Sequence, residues 1–114
     1  MADQSTVTQA TITKRADTRA EVIAILEANA DAIRGFGATA LYLFGSAARD
    51  EMGPDSDVDM FVEYQSGGRF SYFDLFELES HVARLLGRDV DMLTRPGLHP
   101  YLKDRIERSA VRIF

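Results

Sequence analysis

Apolar residues recur along this chain with two different spacings, and the order of these spacings leaves few folds open. A helical spacing of three to four residues covers about 18–34, 71–86 and 99–114. Shorter runs rich in strand-forming residues lie between them, at 38–44, 57–64 and 88–94. The order helix, strand, turn, strand, helix, strand, helix predicts an α/β (α+β) domain, in which a small mixed three-stranded sheet is flanked by helices.

The ends of these segments suggest one domain. Ser71, followed three residues later by Asp74, has the form of a capping box at a helix start. Residues 1–16 show no apolar periodicity. We therefore expect a flexible N-terminal arm over 1–16 and a single domain over 17–114.

Composition excludes several functional classes. The chain has no cysteine, which excludes disulfides, thiolate zinc sites and cysteine nucleophiles and fits a cytoplasmic location. The longest apolar run, Ala40–Phe44, is too short to cross a bilayer, and the polar N-terminus lacks a secretory signal. A formal net charge of −5 argues against strong nucleic-acid binding and suits a basic partner protein.

Three acidic residues point to a metal site. Asp57 and Asp59 are two residues apart on a predicted strand, so their side chains leave the same face. Two carboxylates held so close repel unless a cation lies between them, and Mg²⁺ prefers such oxygen ligands. Asp91 lies on another predicted strand and can reach the same place if the two strands pair. Three carboxylates can hold two metal ions, an arrangement used in phosphoryl-type transfer.

The segment before these acids has the features of a phosphate site. Gly45 ends a predicted strand and Ser46 begins a predicted helical turn, which offers backbone amides and a hydroxyl to an anion. Glycine lets the backbone approach a phosphate closely. Arg49, three residues on, falls on the same face of that turn and can add a positive charge.

Each of these features also has an ordinary structural interpretation. A glycine–serine pair alone is most often a turn, and an Asp-Xaa-Asp pair alone is most often a solvated strand end or an Asx turn. Asp91 alone would be an ordinary exposed acid. Their combination in this order, after an apolar strand, favours the nucleotide and metal site.

The run Leu43–Arg49, followed by Asp55–Met60, resembles the signature of the DNA polymerase beta-like nucleotidyltransferase superfamily. It is most similar to the stand-alone minimal nucleotidyltransferases (MNT), over about residues 17–114. The resemblance implies a nucleotidyltransferase fold. It implies that Gly45, Ser46 and Arg49 bind the triphosphate, and that the magnesium ligands and catalytic acids are Asp57, Asp59 and Asp91. Many relatives have glycine where Asp50 stands here, which places an additional negative charge near the phosphates.

The resemblance also implies a function. MNT proteins are often antitoxins that transfer AMP from ATP to a tyrosine of a helical HEPN-type ribonuclease toxin. We therefore expect a magnesium-dependent protein adenylyltransferase that uses ATP or another nucleoside triphosphate and acts on a basic HEPN-type partner. The alternative is an antitoxin without catalytic activity that masks its partner. The chain shows no acceptor-binding domain, which makes transfer to a small hydroxyl compound the weaker hypothesis.

A group of aromatic residues has no place in the nucleotide motif. They flank the start of the second long helix: Phe70, Tyr72, Phe73 and Phe76. Part of this group is expected in the core. The remainder is available for a partner surface or for base stacking.

Overall fold

The computed structural model describes residues 15–65 and 67–114. Its elements follow in the order α1 (Arg19–Ala28), α2 (Ala30–Gly35), β1 (Ala38–Phe44), α3 (Gly45–Ala48), β2 (Val58–Tyr64), α4 (Tyr72–Leu86), β3 (Val90–Thr94), a 3-10 turn (Arg95–Gly97), α5 (Lys103–Ser109) and β4 (Val111–Arg112). Among these residues, no helix is long and apolar enough to span a membrane.

The strands form one mixed sheet in the order β3-β2-β1-β4. β2 and β3 are parallel, whereas β1 is antiparallel to both of its neighbours. The mixed sheet flanked by helices is confirmed, but the predicted number of three strands is wrong. The fourth strand lies where the last helix was predicted to continue to Phe114: α5 ends at Ser109, and the backbone N–H of Ile113 donates to the carbonyl of Leu41 at 2.8 Å.

The helix ends follow local side-chain chemistry. Both long helices begin with a complete capping box, formed by Thr18 with Glu21 and by the predicted pair Ser71 with Asp74. The first helical segment was predicted as one helix. It is divided at Asn29, whose side-chain amide donates to the carbonyl of Ile25 at 2.8 Å.

The two long helices, α1 and α4, cover one face of the sheet. The apolar side of this contact comes from fully buried residues of α1, α4 and β2: Val22, Leu26, Leu78, Val82, Leu86, Val58, Met60 and Val62. Because side chains alternate along a strand, Asp59 and Phe61 project to the opposite face. There, Phe61 stacks on Tyr42 with ring centroids 4.6 Å apart, and the Arg95 guanidinium lies 4.9 Å from the centre of the Phe61 ring.

The folded domain begins earlier than predicted. Ala16, which the sequence assigns to the N-terminal arm, is buried, and its N–H donates to the carbonyl of Leu86 at 2.9 Å. The rest of the predicted arm, except Arg15, lies outside the described residues.

Arg88 ties the start of the domain to the loop that leads into β2. Its buried guanidinium donates to the carbonyl of Ala16 at 2.6 Å and to the carbonyls of Gly53 and Ser56 at 3.0 Å each. A further N–H reaches the carboxylate of Asp17 at 3.2 Å. The positive charge is thus satisfied by oxygens on two separate segments, which fixes the loop against the body of the domain.

Replacing Arg88 with Met should lower the free energy of unfolding by about 2–4 kcal/mol, since the carbonyls that it binds lose a charged donor. The control is Arg84→Met, an exposed arginine on α4, which should change stability by less than about 0.5 kcal/mol. Urea unfolding of the two variants tests the difference. Equal effects would show that Arg88 does not hold the loop.

Candidate active site

The register of the sheet brings the two strand acids together. In the parallel pair β2 and β3, Asp59 lies directly opposite Asp91. Neighbouring strands are about 4.8 Å apart, and paired residues project to the same face. Both carboxylates therefore lie on the face of the sheet that the long helices leave free.

Asp57 completes the acidic group from outside the strand. It was predicted as the first strand residue, but β2 begins at Val58 and Asp57 lies in the exposed end of the preceding loop. Burial raises the pKa of Asp59 above its ordinary value, and the charges of Asp91 and Asp57 raise it further, while Arg49 opposes them. The other two predicted acids and the predicted arginine thus all act electrostatically on Asp59.

A side chain at Gly45 would be strained and would displace Asp59. β1 ends opposite this site, with Phe44 paired to Asp59 across the antiparallel ladder. The backbone of Gly45 has a φ of +72°, in the left-handed region. A Cβ added there would collide with Oδ2 of Asp59. With glycine at this position, the turn can approach the Asp59 carboxylate without displacing it.

Ser46 and Arg49 lie on the short helix that follows. Ser46 is half-buried in α3, and Arg49 is exposed just beyond its end. The Arg49 guanidinium donates to the Glu51 carboxylate at 2.9 Å. Because exposed ion pairs contribute little free energy, a phosphate could compete with Glu51 for this arginine.

The residue that departs from the family pattern has a structural role. Asp50 adopts a φ of 58°, the left-handed conformation in which glycine is favoured but aspartate is tolerated. Its carboxylate accepts the backbone N–H of Arg19 at 2.8 Å, at the start of α1. The negative charge of Asp50 is therefore engaged by a helix N-terminus, where it is stabilised.

The donor set suits a hard cation that substrate oxygens help to bind. Among residues 15–65 and 67–114, no group of three or more His, Cys, Asp and Glu side chains is arranged to hold a metal ion. Magnesium usually takes one or two protein carboxylates and completes its shell with water and substrate phosphates. The paired carboxylates of Asp59 and Asp91, with the Asp59 pKa raised by burial and by its acidic neighbours, fit such a shared site.

A hollow of about 510 Å³ opens beside the loop before β2. Its walls include Asp57, Arg84 and Arg88, whereas Asp59 and Asp91 do not line it. The acids that converge across the sheet therefore define a different place, and we assign the candidate site to the side of Gly45 and Asp59.

Comparison with known proteins identifies the family of the chain. The family model described as a nucleotidyltransferase domain matches residues 24–113. A Methanocaldococcus jannaschii protein named as a candidate protein adenylyltransferase is 44% identical over 71 residues, 62% of this chain and 74% of the relative. Protein adenylyltransferase MntA of Thermococcus cleftensis is 32% identical over 94 residues, 82% of this chain and 93% of the relative.

Solved structures show the same fold. One, described as a candidate minimal nucleotidyltransferase, is 34% identical with a TM-score of 0.63, over 82% of this chain and 89% of that one. Another holds the tri-AMPylated HEPN toxin of Shewanella oneidensis in complex with its MNT antitoxin. The matched chain of that structure is 19% identical to this chain, with a TM-score of 0.58, over 81% of this chain and 71% of that one.

The chain therefore belongs to the nucleotidyltransferase domain family and is an enzyme of that class. Within the family it lies in the minimal branch, which includes protein adenylyltransferase MntA.

Gly45→Ala should abolish nucleotide transfer, because the new methyl group must displace Asp59. The left-handed backbone alone adds about 1–2 kcal/mol of strain. Gly35→Ala is the matched control: it lies in α2, nothing is within 4 Å of an added Cβ, and it should gain up to about 1 kcal/mol of stability. Transfer assays and thermal unfolding measure both. Full activity in Gly45→Ala would contradict this account of the turn.

Asp57→Asn should stabilise the metal-free domain at neutral pH, because it relieves repulsion around Asp59. The folded-state pKa of Asp59 lies above its ordinary value of 3.8, so stability is greatest below 3.8 and falls as the pH rises through the folded pKa. The stabilisation by Asp57→Asn should therefore appear at pH values above the folded-state pKa of Asp59. It should shrink as the pH falls towards 3.8. Thermal unfolding in EDTA tests this, with Asp31→Asn, an exposed acid on α2, as the control. A lower melting temperature at neutral pH would mean that Asp57 is structural.

Proposed function

We propose that this chain transfers AMP from ATP to a hydroxyl group, a tyrosine hydroxyl in our hypothesis, of a HEPN-type ribonuclease toxin and so acts as its antitoxin. The observation that carries the proposal is the pairing of Asp59 with Asp91 beside the side-chain-free turn at Gly45. The name of the MntA relative and the HEPN–MNT complex with the same fold support this substrate and partner.

In this proposal, Gly45, Ser46 and Arg49 bind the triphosphate and hold its α-phosphate next to the acids. Backbone amides at the start of α3 and the serine hydroxyl meet phosphate oxygens, and the arginine neutralises their charge. The turn lies against Asp59, so a nucleotide bound there has its phosphates close to the carboxylates.

The acids hold magnesium and prepare the attacking hydroxyl. Asp57, Asp59 and Asp91 are the proposed ligands of two Mg²⁺ ions, which when bound would neutralise phosphate charge. Asp91 is exposed at the edge of the sheet, where an incoming hydroxyl can reach it, and it accepts the hydroxyl proton. The oxygen then forms a bond to the α-phosphorus, the bond from that phosphorus to the β-phosphate bridge breaks, and pyrophosphate leaves.

A protein acceptor fits the charge of the chain better than a nucleic acid does. Lysines and arginines number 13 against 18 aspartates and glutamates, which gives the net charge of −5. Such a surface repels a phosphate backbone and attracts a basic protein of the kind that cuts RNA. The lack of cysteine suits the cytoplasm, where we place this reaction.

The decisive experiment incubates the chain with ATP, magnesium and the protein encoded by the adjacent reading frame, and measures intact masses. The neighbour should gain one or more AMP units, and the gain should be lost in EDTA and in Asp57→Asn. Asp31→Asn should retain it. If wild type and Asp57→Asn inhibit the protein encoded by the adjacent reading frame equally well, with no change in its mass, the chain is instead an antitoxin that acts only by binding.

A further inference from the structure

Large apolar side chains are exposed on the first half of α4. Tyr72, Phe73 and Phe76 are 90%, 82% and 65% exposed. Phe70, the fourth aromatic residue of the predicted group, is half-buried and stacks on Tyr64 with ring centroids 4.9 Å apart. The three exposed rings, here called the aromatic patch, are therefore not needed for the core. Exposed apolar groups of this kind mark binding surfaces.

Two of the three rings, those of Tyr72 and Phe76, lie on the side of α4 nearest the open edge of the sheet. Tyr72, Phe76 and Glu79 are spaced by four and three residues, so they follow one flank of the helix. The Glu79 carboxylate accepts the backbone N–H of Met92 at 2.9 Å, and Met92 lies in the edge strand β3. Because this contact holds Glu79 against β3, the side of α4 that carries Tyr72, Phe76 and Glu79 runs alongside β3.

The same flank borders the strand that carries Asp91, whose carboxylate projects to the opposite face of the sheet. Met92 directly follows Asp91, and Phe76 is one helical turn, about 5 Å along the axis, from Glu79. At its other end, Tyr72 borders a hollow of about 230 Å³ that is also lined by Phe70 and by Thr94, the last residue of β3. A protein bound to the patch would cover the edge of β3 and could present a hydroxyl to Asp91.

The charged residues around the aromatic patch indicate which kind of partner binds it. Residues 72–80 contain three acids and no basic residue: Asp74, Glu77 and Glu79. A two-fold interface pairs a surface with itself, so a second copy of this chain would bring like charges together. A basic surface with apolar side chains would instead complement both the acids and the rings.

We propose that the aromatic patch, together with the acidic residues around it, is the docking surface for the protein that receives AMP. This inference rests on the proposed function for the identity of the partner. The rings supply the apolar anchor, the acids attract the basic partner, and the edge of β3 directs the bound acceptor towards Asp91.

The test compares two double variants in binding to the protein encoded by the adjacent reading frame. Tyr72→Ser with Phe76→Ser should weaken the complex about tenfold or more, since buried aromatic anchors carry much of the affinity of an interface. The control is Tyr101→Ser with Leu102→Ser, exposed apolar residues on another segment, which should bind normally. Glu77→Lys should also weaken binding, whereas Glu27→Lys, an exposed acid on α1, should not.

Calorimetry measures these affinities. It also measures how the isolated chain binds ATP with magnesium. This binding should be unchanged in all four variants, which shows that the fold and the nucleotide site are intact. Equal partner affinity in wild type and the patch variant would overturn the docking surface, even if AMP transfer is observed. If the patch variant loses binding and the wild type transfers no AMP, the docking surface is supported and the proposed transferase activity is contradicted. Sedimentation of the wild-type chain as a dimer that the patch variant dissociates would assign the patch to self-association and overturn the proposal.

Discussion

Parallel pairing of β2 with β3 places two carboxylates side by side, and much of the surrounding structure keeps them there. Burial and the neighbouring acids raise the pKa of Asp59, so the folded chain holds this group against electrostatic repulsion. β2 lies inside the sheet with a strand on each side, and Arg88 fixes the loop before it through two carbonyls. The site is thus formed at the expense of local stability, which is typical of functional sites.

The sequence predicted the parts of the site that depend on local chemistry. Gly45 and Asp59 could be recognised because a strand ends in glycine and acids then alternate with apolar residues. The side-by-side position of Asp91 followed only on the condition that its strand paired with β2, as it does. Arg88 was missed because its partners are mainly backbone carbonyls, which any residue type offers. The role of Asp50 at the start of α1 was missed because its partner is 31 residues away.

The errors in the predicted fold come from segments too short to show a repeating spacing of apolar residues. Val111, Arg112 and Ile113 alternate in burial, but three residues are not enough to distinguish a strand from the end of a helix. Asn29 divides the first helical segment through one side-chain contact that the apolar spacing does not reveal. The aromatic group was correctly expected to be only partly buried, although the sequence alone could not say which rings would be exposed.

The bond from Met92 to Glu79 has a consequence for the behaviour of this protein at high concentration. Each edge of an open sheet offers unpaired backbone groups to which a strand from another molecule can add. Here a side-chain carboxylate occupies one such donor on β3, and the opposite edge strand, β4, has only two residues. Within residues 15–65 and 67–114, neither edge presents a long unpaired ladder, so growth of the sheet from molecule to molecule is disfavoured. The exposed aromatic rings of α4 therefore lie beside an edge that does not readily add a further strand.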